Sequence, residues 1–210
     1  MAKKNTEAQE PEVEAQVQET QEEVVDTQVE ETASETNGIR CLVSQTKDGV
    51  TKVAETLDEG WTADGVALVD GEQTLLVVAL NESQLKFGGD ESQDLEEDVA
   101  SPSMTGLDGE MRSAFLISFY EREEKAVPAL TACAEYGWLP SGGEMALIFA
   151  NKDAINAVLA TLEGDALGDG KYWTSQRFSN DRMWSCGMNA GTFGIALGTA
   201  SVAAVRAVRK

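Results

Sequence analysis

From Ile39 to Leu80 the apolar residues fall in short, β-branched runs broken by turn pairs. From Met111 to Leu162 they recur every three or four positions, and from Tyr172 onward they return to short runs. The first texture reads as strands. "IRCLVSQ" and "VTKVAET" are separated by Thr46-Lys47-Asp48-Gly49, a hairpin signal, and "GVALVDGEQTLLVVAL" holds a second hairpin about Asp70-Gly71 with a buried return strand, Leu75 to Leu80. The middle reads as helices. Met111, Phe115 and Phe119 recur at four-residue spacing with Leu116 and Tyr120 beside them, so this face of residues 110–124 is expected to be buried. Pro128 suits the first turn of a second helix, Ala126 to Tyr136, which Gly137 ends. A third helix starts at Ser141, where Ser141 and Glu144 have the spacing of a capping box and Pro140 blocks backward extension; it continues past Asn151 and Asp153 into "AINAVLATLEG". "KYWTSQ", "RMWSCGM", "TFGIALG" and "VAAVRAVR" then read as short strands. Strands, then helices, then strands, without strand–helix alternation, predict an α+β domain whose ends meet in one antiparallel sheet.

Two stretches lack this patterning. Residues 1–38 are dominated by Glu, Gln, Thr and Val without an aromatic, too little apolar surface to offset chain entropy, so a disordered acidic N-terminal arm or anchor is expected. Val13, Val17, Val24 and Val29 offer it a face for a partner or a short multistranded helix, although no heptad repeat is sustained. Residues 39–56 then form a β-hairpin connecting segment and residues 57–210 the main domain. The acidic, turn-rich residues 81–110 carry Glu96, Glu97 and Asp98, but without the alternation of an EF-hand loop they read as a solvated loop and not a calcium site.

Charge and composition narrow the chemistry. A formal net charge of −21 over 210 residues repels phosphate backbones, and the one basic cluster, Arg206, Arg209 and Lys210, lies at the C-terminus, so no nucleic-acid partner is expected. Histidine is absent, which removes histidine triads, most zinc sites and the usual base near neutral pH. The three cysteines, Cys41, Cys133 and Cys186, lack CxxC spacing and read as reduced, buried thiols. The opening Met-Ala-Lys-Lys runs into acids and glutamines without the apolar core of a secretory leader, and no stretch reaches the roughly 18 apolar residues of a membrane span. Assembly into a particle inside a cell, followed by lysis, is then a route to the outside.

"GWLPSGGEMALIFANKDAIN", "YWTSQ", Trp184 and the closing "VRAVR", in that order, resemble the domain of unknown function shared with the C-terminal part of Legionella collagen-like proteins. The resemblance covers residues 57–210. It implies a C-type-lectin-like fold, related to formylglycine-generating enzymes and found in phage and gut-bacterial surface proteins, with an antiparallel sheet and flanking helices. Trp138, Leu139 and Trp173, with Arg206 or Arg209, would be framework in such a domain. The sequence departs from the sugar-binding lectins: no Glu-Pro-Asn is present, and Asn180-Asp181 follows Ser179, so calcium-dependent sugar binding is not inherited. Nor do the cysteines match the copper-binding pair of a formylglycine-generating enzyme. No cofactor or metal is expected.

The expectation is a non-enzymatic bacteriophage virion protein, a head-fibre, decoration or tail-tip subunit on the virion surface. The arm would attach to other virion proteins, the domain would project outward, and analogy with fibres suggests a homotrimer. The alternative is a bacterial cell-surface adhesion domain. An enzyme is not expected, because Glu121, Glu123 and Glu124 read as solvated helix-surface acids without a nucleophile or base beside them. Candidate ligand residues, for a host-surface glycan or protein, lie on the last loops: Gln176, Arg177, Phe178, Asn180, Asp181, Arg182, Asn189, Thr192 and Phe193.

Overall fold

The structure is a computed structural model that describes residues 38–88, 106–179 and 181–210. The four valines of the arm, the acids Glu96, Glu97 and Asp98, and the candidate ligand residue Asn180 lie outside the described residues. The chain divides into Met1–Thr32 and a compact unit, Ala33–Lys210. The described part of that unit is α+β.

Strands β1 (Ile39–Lys47), β2 (Val50–Ala54), β3 (Thr62–Asp70) and β4 (Gln73–Ala79) arise from the two expected hairpins. Asp48 and Gly49 link the first pair at φ of 50° and 77°, the left-handed geometry that a two-residue turn needs to match strand twist. β1 pairs on its other side with β3, so residues 39–56, expected as a connecting segment, are strands of the same sheet as residues 62–79. Next come β5 (Ser83–Lys86), helices α1 (Gly109–Arg122), α2 (Pro128–Ala134), α3 (Gly142–Ala150) and α4 (Lys152–Thr161), then β6 (Lys171–Ser179), β7 (Arg182–Gly187), β8 (Thr192–Gly198), β9 (Val202–Val205) and β10 (Val208–Arg209).

The strands form two sheets, ordered β10-β4-β3-β1-β2 and β5-β9-β6-β7-β8, where the sequence suggested one. The last strand still joins the first sheet, because β10 pairs with β4. What divides the sheets is the closing "VAAVRAVR": it serves the second sheet as β9 and the first as β10, crossing at Arg206-Ala207. Arg206 is buried at that crossing. Its Nη1 donates to the carbonyls of Ala79 (3.0 Å) and Leu80 (2.7 Å), and its Nη2 to that of Asp165 (2.7 Å) and to Glu82 Oε2 (3.3 Å). Tyr172 also donates its hydroxyl to Glu82. Arg209, three residues on, donates to Ser44 Oγ and the Asp64 carboxylate and lies over the Tyr136 ring. Both arginines are framework in this fold.

One core cluster joins Val66, Leu68, Leu76 and Val78 of the first sheet to Met145 and Ile148 of α3, Ile155 and Leu159 of α4, and Tyr172 and Cys186 of the second sheet. A second packs α1 and α2 against Trp173, Met183 and Val205. The capping box forms as expected: Ser141 Oγ accepts from the Glu144 N–H (3.3 Å) and Glu144 accepts from the Ser141 N–H (2.7 Å). Trp138 stands just outside the helix because its indole N–H also donates to Glu144 (3.3 Å), while its backbone exchanges hydrogen bonds with Val208.

Helix α1 departs from its pattern. The buried residues are Ser113, Leu116 and Tyr120, while Met111 and Phe115 face solvent. Ser113 decides the rotation: its hydroxyl donates to the Leu139 carbonyl (3.2 Å) and accepts from the Leu139 N–H (3.1 Å), so a polar residue is turned inward and the four-residue apolar row outward.

Candidate functional site

The candidate ligand residues lie on the β6–β7 and β7–β8 hairpins, and the structure sorts them into three groups. Gln176 and Arg177 are buried and are not surface contacts. Between the pairings Trp173↔Ser185 and Arg177↔Met183 the register of β6 shifts, and the bulge swings inward against the start of α3. There the Ser175 N–H donates to the Pro140 carbonyl (2.9 Å), and the side-chain oxygen of Gln176 accepts the Gly142 N–H (2.9 Å), one of the donors a helix start leaves without a helical partner. Arg177 is turned back on its own strand, its Nε donating to the Ser179 carbonyl (3.0 Å). The sequence places Gln176 at the end of a strand and offers it with Arg177 as ligand contacts; the bulge makes them support.

A second group stands at the β6–β7 turn. Phe178 is 49% exposed and its ring lies 4.5 Å from that of the half-buried Trp184, edge to face at 71°. Asp181 holds the turn, accepting from Ser179 Oγ (3.1 Å) through its carboxylate and from the Thr199 N–H (3.0 Å) through its carbonyl. Arg182 is exposed beside it. The group therefore combines an aromatic pair with a cationic side chain at one end of a hairpin.

The third group lies at the opposite end of β7. Asn189 and Thr192 are exposed, and the Phe193 ring lies 6.3 Å from that of Phe149 at 85°. Asn189 borders a cleft of about 330 Å³ with Phe149, Asn151, Lys152, Asp169 and Met188. The Lys152 ammonium spans the cleft, donating to Asp169 (2.5 Å) and to the Met188 carbonyl (3.3 Å). Gly191 closes the hairpin at a φ of 58°, and a Cβ there would meet the Phe149 ring at 2.4 Å. Phe149, Lys152 and Asp169 carry no sequence signal for this role; they reach the hairpin because α3 packs on β7. Arg182 and Gly187 bound β7, so at about 3.3 Å per residue these two groups are about 17 Å apart and do not share one small ligand.

Part of the chain is similar in fold to part of a fimbrial protein. That protein comes from Bacteroides ovatus; the two structures superpose with a TM-score of 0.52 at 16% identity, over 63% of this chain and 35% of the fimbrial protein. The shared region thus spans about a third of the fimbrial protein's length, and identity at this level speaks for the fold alone. No family model and no curated protein matches the chain.

Burial pushes the Cys41 thiol up to about 11 and those of Cys133 and Cys186 up to about 12, so all three stay protonated near neutral pH, where a nucleophile needs thiolate. Glu144, whose carboxyl is raised by burial, is occupied by the cap of α3. Among the described residues no three His, Cys, Asp or Glu side chains converge as a metal site.

Proposed function

We propose that the chain is a non-enzymatic structural protein of a virion surface, a head-fibre, decoration or tail-tip subunit, displaying a C-type-lectin-like domain that binds a carbohydrate of the host surface. The observation that carries the reading is the Phe178–Trp184 pair beside Arg182, an aromatic and cationic surface at the end of the β6–β7 hairpin. Aromatic faces stack on the apolar side of sugar rings, and polar neighbours orient the hydroxyls. Lectin-like architecture is supported by the return of β10 to the first sheet, the Trp138–Val208 pairing and the buried Trp173. In this reading the acidic residues 1–38 attach the domain to other virion proteins.

A second reading, a bacterial cell-surface adhesion domain, is favoured by the likeness to a fimbrial protein. Both readings display the same surface and differ in carrier. Density-gradient fractionation of a producing culture, with this chain followed by mass spectrometry, separates them. Co-sedimentation with DNA-filled particles is expected for the virion protein; recovery with cell envelopes alone sinks that reading in favour of adhesion.

A further inference from the structure

We propose that the solvent face of α1 is an interface between two copies of this chain, packed helix against helix about a two-fold axis. On α1, Met111 (67% exposed) and Phe115 (50%) form a row with the half-buried Phe119, and Leu107 (62%) is exposed just before the first turn. The row follows four-residue spacing, which on a helix makes a continuous ridge. Phe115 and Phe119 stack at 6.4 Å, which stiffens it. Alongside runs a second exposed row, Glu110, Ala114, Ser118 and Arg122, whose two middle members are small. One face thus offers a ridge of large apolar side chains beside a groove of small ones, and a ridge of one copy fits the groove of the other.

Charge fixes the orientation. Glu110 is exposed in the first turn, and Arg122 in the last, where its Nε donates to the Ser118 carbonyl (3.3 Å) and its guanidinium lies 5.8 Å from the Phe119 ring. In an antiparallel pair Glu110 of each copy meets Arg122 of the other. A parallel pair would set like charges together, so the antiparallel, two-fold arrangement is the one selected. Stable complexes bury about 800 Å² per partner, more than a few exposed side chains supply, so the dimer is dissociable and its population rises with concentration. This two-fold contact is separate from the three-fold assembly that analogy with fibres suggests, and it does not depend on the ligand or carrier proposed above.

Sedimentation velocity of the full chain from about 1 μM to about 1 mM tests it. The mass is expected to rise from one chain to two. Phe115→Glu, at an exposed position that leaves the far-UV spectrum unchanged, should keep the chain monomeric throughout. Arg122→Glu should weaken association roughly threefold to thirtyfold, and adding Glu110→Arg to it should restore the wild-type value, because both pairs re-form with their signs exchanged. A wild-type chain monomeric over the whole range, a dimer indifferent to Phe115→Glu, or a double variant no tighter than Arg122→Glu would each overturn the proposal.

Discussion

Replacing Arg206 with Leu removes the side chain that ties the two sheets together at their crossing. The guanidinium donates to three carbonyls, of Ala79, Leu80 and Asp165, and to the Glu82 carboxylate, and it is buried. Its Nε finds no partner, so the ion is not perfectly satisfied, and part of its hydrogen-bond energy offsets the cost of leaving water. Removing the cation is costlier than this balance suggests, because leucine fills most of the space while leaving the acceptors buried and empty. Loss of one member of a buried ionic pair costs about 3–5 kcal/mol. Each kcal/mol lowers the melting temperature of a domain of this size by about 2–4 °C, so a fall of roughly 6–20 °C is expected. Urea unfolding followed by far-UV circular dichroism measures the loss, and Arg206→Lys, which keeps the charge but cannot reach four acceptors, should fall between. A loss below about 1 kcal/mol for Arg206→Leu would refute the reasoning, since it would mean that water already serves those carbonyls.

Three further outcomes follow from the buried polar groups. Burial raises the Glu144 carboxyl, so the folded chain holds this proton more tightly than the unfolded chain; its contribution is fully present at low pH and is lost as pH rises from the ordinary carboxylate range through the raised folded value. The stability difference between wild type and Glu144→Gln should therefore move against wild type as the pH rises above the ordinary carboxylate range of about 4 in chemical denaturation, and a pH-independent difference would contradict it. Gln176→Ala, which leaves the Gly142 N–H without its acceptor, should cost about 1–3 kcal/mol in the same assay, while Phe178→Ala changes stability by about 0.5 kcal/mol or less. Cys41, Cys133 and Cys186 should resist a thiol reagent at neutral pH and react together when urea unfolds the chain.

The sequence was legible where local rules decide. Asp48-Gly49 and Gly71 announce their hairpins because two-residue turns demand residues that accept positive φ, and Ser141 with Glu144 announces a helix start because both partners of the capping box lie within one turn. It was illegible where distant contacts decide. The rotation of α1 depends on Ser113 meeting Leu139 26 positions away, and the burial of Gln176 on a bulge that reaches α3. β5 hides in an acidic stretch because its partner, β9, is over a hundred positions further along. The candidate ligand residues split for the same reason: sequence places them near one another, and β7 carries them to opposite ends of a strand.

Retention of the purified full chain on an array of bacterial surface polysaccharides tests the proposed recognition role most directly. The account predicts that wild type is retained, and that Phe178→Ala combined with Arg182→Ala abolishes retention while the melting temperature stays unchanged. Equal retention of the variant, or no retention of wild type on any polysaccharide, would contradict it.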